Sequence, residues 1–225
     1  MRVSTIEGHR LWAPIYDSGP NPILALERRA MLELLRPLQP ATVIDVGCGT
    51  GQWLSYFQQA RSEVFGCDAC EEMLREATKI RSLRGRVILA EAENIPFCDS
   101  TVDLVLCSLA LGYFLDIHSV FREFARASKR GGLIAVSDLH PKASASGWTR
   151  SFRLGAQLYH LEHYSRSIEE ISGAASDAAL SIKFYQEVYF STPELPIFQQ
   201  NGKGDLFRTV ARTPALFVGL WEKPC

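Results

Sequence analysis

The chain has 225 residues, 47% of them hydrophobic and 22% charged, which is enough for one large domain with its own core. A formal net charge of -1 excludes any global attraction to nucleic-acid backbones or anionic membranes. No apolar run is long enough to span a bilayer, and the opening MRVSTIEGHRLW lacks the basic-then-apolar layout of a signal peptide. Six cysteines in a chain of this length do not form a disulfide scaffold. The one C-x-x-C, Cys67 to Cys70, has no second pair at zinc spacing, so no metal is expected and a reduced, cytoplasmic enzyme fits best.

In chain order, Asn21-Pro22 predicts a helix start, with Pro at the first helical position. Strands are expected at Thr42–Val46, Glu63–Cys67, Val87–Ala90, Leu104–Ser108 and Leu133–Asp138, and helices at Gln52–Gln59, Cys70–Ile80 and Ser119–Ser128 between them. The five strands are short, apolar and mostly uncharged, as in a parallel sheet covered on both faces. The run Ser167 to Glu170, SIEE, has capping-box spacing and predicts a helix after Ser167. Two more strands are expected at Ser181–Phe190 and Ala215–Glu222. The alternation gives an α/β fold: a Rossmann-like, open, mostly parallel seven-stranded sheet with helices on both faces and an antiparallel C-terminal strand. Such sheets bind ligands beyond the carboxyl ends of their strands.

The stretch VIDVGCGTGQW stands at one such end. The strand ends at Val46 with Asp45 at its carboxyl end, and Gly47, Gly49 and Gly51 make the turn into the helix. Glycines permit positive φ and close approach to a ligand, and the helix N-terminus offers free N–H groups. The spacing is G-x-G-x-G, and Gln52 stands where a dinucleotide fingerprint has its third Gly. An acid two residues before the first Gly would repel a pyrophosphate and attract an ammonium. S-adenosylmethionine carries an ammonium and no phosphate, so the loop suits it better than NAD.

VIDVGCGTG resembles the first motif of class I S-adenosylmethionine-dependent methyltransferases, of the small-molecule kind (methyltransferase domain 11/25-like). The resemblance continues in order. VFGCDACEEML is similar to the second strand with its terminal acid, and AEAENIPFCDSTVDLVLCSLAL to the third-to-fourth-strand segment. FREFARASKRGGLIAVSD is similar to the fifth helix-turn-strand, with Gly131-Gly132 at the turn. The match spans Thr42 to Asp138. It implies a cofactor site of Asp45, Gly47, Cys48, Gly49, Gly51, Asp68, Ala69, Met73, Glu91, Ala92, Ser108 and Leu109, with Asp68 on the ribose hydroxyls, Ala69 and Met73 flanking the adenine, and Glu91 near its amino group. S-adenosyl-L-homocysteine would be the product. Gly112 departs from the pattern: many relatives carry His there.

The motifs identify the donor, so the acceptor site is expected outside them. Residues 1–40 would form an N-terminal lid and helix, 41–138 the cofactor core, 139–166 a substrate cap and 167–225 the rest of a single domain. In the lid, Tyr16 of a YD pair is expected over the methionine end of the cofactor, with Trp12 nearby, while His9 reads as a solvated surface residue. In the cap, RLGAQ predicts a hairpin turn, and Trp148, Arg150, His160 and Tyr164 are candidate substrate contacts. His140, directly after the fifth strand, is the first candidate for a general base, with Tyr16 as the other catalytic candidate. The expected activity is methyl transfer to a small-molecule acceptor, with no nucleic-acid or membrane partner and nothing in the sequence to set the oligomeric state. Two alternatives stand beside it. One is methylation of an acyl carboxylate on a carrier protein, of the malonyl-thioester type, for which Arg150 and Arg153 are available. The other is a protein that binds the cofactor without methylating.

Overall fold

A computed structural model describes all 225 residues. Ten strands and nine α-helices form in the order β1 (Arg2–Val3), α1 (Thr5–Trp12), α2 (Pro22–Leu35), β2 (Thr42–Val46), α3 (Gln52–Gln59), β3 (Glu63–Asp68), α4 (Glu71–Ala77), β4 (Val87–Leu89), β5 (Val102–Ser108), α5 (Ile117–Ala127), β6 (Ser128–Leu139), α6 (Pro141–Ala145), β7 (Ser151–Leu154), β8 (Gln157–Leu161), α7 (Ile168–Asp177), β9 (Ser181–Val188), α8 (Leu195–Gln200), α9 (Phe207–Val210) and β10 (Leu216–Glu222). Seven strands form the main sheet in the order β4-β3-β2-β5-β6-β10-β9. β10 runs antiparallel to both its neighbours, and the pairings among β2, β3, β4, β5 and β6 are all parallel. This is the expected doubly wound sheet with one reversed C-terminal strand.

Alternation along the strands divides the core in two. Leu104 and Leu106 of β5 point into one cluster with Leu26, Met31, Trp53 and Phe57 of α2 and α3. Val105 and Cys107 point into the other, with Phe121, Phe124 and Ile171 of α5 and α7. Strand side chains alternate faces, so one apolar strand serves both layers. Local signals start α2 and α7 where the sequence indicates. Asn21 caps α2 by accepting from the Ile23 amide at 2.9 Å, and Ser167 with Glu170 forms the capping box of α7. β6 starts earlier than expected, at Ser128. The Gly131-Gly132 turn is absorbed into it as an irregularity: Gly131 has φ +73° and donates to the Lys223 carbonyl, and the β5 register slips there.

A second, three-stranded sheet lies over the carboxyl edge. β7 and β8 form the expected hairpin, turning at Gly155-Ala156, and β1 adds to β8 in parallel with Arg2 opposite His160 and Val3 opposite Leu161. The two segments expected as lid and cap are thus one unit. Aromatic stacking reinforces it, with Trp12 on Phe152 at 5.0 Å between centroids and Phe152 on Tyr159 at 5.2 Å.

Candidate active site

β2, β3 and β5 end at the same edge of the sheet, and a cleft of about 330 Å³ opens beyond them. Gly47, Gly49, Asp68, Ala69, Met73, Glu91, Ala92, Ser108 and Leu109 line its lower half, so the fold brings these residues together. Asp45 and Cys48 face an adjoining recess of about 70 Å³, which shares Gly47, Gly49, Ser108 and Leu109 with the cleft. Gly47 has φ +75°, and a Cβ there would stand 2.6 Å from that of Ala110, so only glycine fits. Gly51 reaches neither cavity. Its predicted role at the cofactor is corrected: a Cβ there would meet Leu83 and Ala77, so Gly51 packs α3 against the turn after α4.

The carboxylates are arranged for a cationic, hydroxyl-bearing ligand. Asp45 is 2% exposed and its Oδ1 has no hydrogen-bond partner. Burial, then the neighbouring Glu27 and Asp68 charges, hold its carboxyl well above the usual range. Asp68 accepts from the Gly49 amide at 2.9 Å through Oδ2 and from the Cys70 amide at 2.8 Å through Oδ1. It keeps lone pairs for further donors. Sequence reasoning missed Glu27. This side chain of α2 is 3% exposed, borders the recess, and accepts from Ser108 Oγ at 2.6 Å and Ser137 Oγ at 2.8 Å. Burial raises its pKa to about 7, with the serine hydrogen bonds opposing. Leu109, at the end of β5, sits at φ +54°, a strained position for a residue with a side chain.

The upper half of the cleft is aromatic. His9, Trp12 and Tyr16 enter from the N-terminal segment, Tyr113 follows β5, and Trp148 and Arg150 come from the segment before β7. Tyr16 borders both the cleft and the recess. Burial, then the neighbouring Tyr113, Glu27 and Asp17 charges, push its hydroxyl pKa up, so it stays a donor. Arg150 is 8% exposed on its side chain and forms an ion pair with the buried Asp138. Its Nη1 donates to the Leu109 carbonyl at 2.6 Å, and its guanidinium stacks 4.3 Å from the Tyr113 ring centroid. Desolvation opposes its charge, but Asp138 and Tyr113 together outweigh it, so its pKa is raised. A Cβ on Gly112 would fall 2.8 Å from Arg150 Nη2, so this ion pair fills the space beside the departing motif position.

Four expectations are corrected here. His140 does not line the cleft. It caps α6, its Nδ1 accepting from the Lys142 amide at 3.1 Å, while its buried Nε2 faces Tyr185 Oη at 3.3 Å and Glu187 Oε1 at 3.2 Å. Pro141 starts a helix that needs a cap, and the imidazole turns away from the site to supply it. Burial lowers its pKa, with the Glu187 charge opposing. His160 lies outside the cleft with its Nδ1 3.1 Å from Thr149 Oγ1, in the outer sheet. Tyr164 is 45% exposed, donates its amide to Gly112, and lies outside the cleft. His9, expected at the surface, lines it.

Residues 44–136 match the model of a family described as a methyltransferase domain. The core resembles that of class I S-adenosylmethionine-dependent methyltransferases. Over 109 residues the chain is 32% identical to the malonyl-[acyl-carrier protein] O-methyltransferase of Hamiltonella defensa subsp. Acyrthosiphon pisum, covering 48% of this chain and 42% of that protein. Over 116 residues it is 31% identical to the demethylmenaquinone methyltransferase of Thermotoga maritima, covering 51% and 50%. The chain thus matches about half the length of these curated relatives or less. The methyltransferase fold extends further than the sequence match. An S-adenosylmethionine-dependent methyltransferase from Mesorhizobium loti superposes with a TM-score of 0.69, covering 90% of this chain and 100% of that one at 19% identity. No helix is long and apolar enough to cross a membrane.

Proposed function

We propose that the chain is an S-adenosylmethionine-dependent methyltransferase acting on a small, flat, mainly apolar molecule. The observation that carries the reading is the unpartnered, buried Asp45 Oδ1 in the recess that adjoins a cleft lined by Trp12, Tyr16, Tyr113 and Trp148. A buried carboxylate oxygen without a donor is costly, and the ammonium of the cofactor answers it. Asp68 would take the ribose hydroxyls, and Ala69, Met73, Glu91 and Ala92 would surround the adenine. When bound, the cofactor supplies a methyl group already activated by its sulfonium.

The chain's own residues then orient the reactants and exclude water. Tyr16, at the junction of cleft and recess, would close over the methionine end; Trp12, Tyr113 and Trp148 would hold the acceptor ring above it. The wall geometry favours a small acceptor over a carrier-bound carboxylate. Arg150 is the one guanidinium lining the cleft, and Asp138 already neutralises it. Arg153, the other candidate for a carboxylate, is exposed on β7 and does not border the cleft.

Calorimetry with S-adenosylhomocysteine and with NAD tests the donor half of this reading. Binding of the first and not the second is expected; the reverse would refute it.

A further inference from the structure

The N-terminal segment presents Thr5, His9, Trp12 and Tyr16 to the cleft, in steps of four, three and four residues. One face of a helix and its extension therefore forms a wall of the acceptor half. Tyr16 and Trp12 have tasks in the proposed function, and His9 has none so far.

The bonding of His9 fixes what its ring can offer. Nδ1 lies 2.9 Å from the Thr5 carbonyl oxygen. A carbonyl only accepts, so Nδ1 carries the hydrogen, and in the neutral ring Nε2 is a bare acceptor. No group of this chain donates to Nε2, and it is not sealed from the cleft. The ring is held in place by Tyr113, edge-on at 4.7 Å between centroids, and by Trp12 at 6.3 Å. The charged groups around it are Arg150 and its partner Asp138, behind Tyr113. Burial, then the Arg150 charge, with the Thr5 hydrogen bond opposing, lower its pKa to about 4. The ring is neutral at every ordinary working pH.

We propose that His9 is the acceptor-recognition residue of the cleft, its Nε2 receiving the hydrogen bond of a hydroxyl or N–H group on a flat aromatic ligand. The word acceptor rests on the proposed function; the binding itself does not. A lone acceptor atom in an aromatic wall selects by hydrogen-bond complementarity. A ligand of the same shape without the donor leaves Nε2 unpaired and is rejected. An anionic ligand is disfavoured too, because its charge would face the Nε2 lone pair while the nearest cation is already paired with Asp138.

Phenol and anisole serve as probes, since they share a ring and differ in the O–H donor. Calorimetry is run on the full chain saturated with S-adenosylhomocysteine, and again on the unloaded chain. Wild type should bind phenol about tenfold tighter than anisole, one hydrogen bond's worth of discrimination. His9→Phe should bring the two within about twofold and leave S-adenosylhomocysteine affinity unchanged. His9→Gln, which keeps an acceptor oxygen, should retain part of the preference and guards against a packing artefact. Nitrogen NMR of the His9 ring should show Nε2, and not Nδ1, responding to phenol. Equal affinities in wild type, absence of phenol binding, or a preference that survives in His9→Phe would overturn the proposal. Failure of S-adenosylhomocysteine to bind would strike the donor reading alone, because the unloaded titration still reads His9.

Discussion

Glu27 gives the site a measurable pH signature. Its carboxyl is buried and its pKa is raised from 4.5 to about 7, chiefly by burial. The folded state therefore holds a proton between those values that the unfolded state has lost. Stability from this group is fully present below pH 4.5 and falls as pH rises through 7. At 1.36 kcal/mol per pKa unit the fall amounts to roughly 3 kcal/mol. Glu27→Gln stays neutral and keeps one oxygen to accept from Ser108 or Ser137, so that contribution should disappear. Asp45 adds to the effect, since Glu27 helps to raise its pKa and the substitution relieves it. Urea unfolding at pH 5 and pH 8 is the assay, read as the difference between variant and wild type so that titrations common to both cancel. The variant should gain roughly 2.5 kcal/mol on wild type between the two pH values, because part of the loss is already complete at pH 5. Parallel pH dependences would mean that Glu27 titrates normally in the folded state and that its burial does not control its charge.

Three other outcomes are expected. Asp68→Ala should weaken S-adenosylhomocysteine binding by roughly 1.5–3 kcal/mol in calorimetry, the scale for hydrogen bonds to a charged group. Arg150→Ala leaves Asp138 buried without its cation and should cost about 3–5 kcal/mol of stability in urea unfolding, while Asp138→Asn combined with Arg150→Met should recover much of it. His140→Ala should leave cofactor affinity and any transfer rate unchanged and cost only about 1 kcal/mol of stability, the value of a helix cap.

The lower half of the cleft was legible because its signals are local. Glycines at 47 and 49 and acids at 45 and 68 stand at or within a few residues of the ends of β2 and β3, and the parallel sheet brings those ends together. The acceptor half depends on where side chains turn after a strand. His140 follows β6 directly, yet the cap that α6 needs draws its ring to the opposite side. His9 could have been found: it shares a helical stripe with Trp12 and Tyr16, both expected at the cleft, and three- and four-residue steps place it beside them. Glu27 carried a signal as well, since it interrupts the apolar stripe of Ile23, Leu26, Ala30, Met31 and Leu34 on α2. A charge in such a stripe is buried for a reason. The joining of β1 to β8 had no sequence signal, because a two-residue strand is set by its partner's exposed edge.

Methyl transfer itself is the most direct test. The chain is incubated with methyl-labelled S-adenosylmethionine and a pool of phenolic and heteroaromatic small molecules, and in parallel with malonyl-loaded carrier protein. Label appearing in an apolar small molecule, and lost in Asp68→Ala, is the predicted result. Label on the carrier-bound malonyl group alone, or none anywhere despite cofactor binding, would contradict the account.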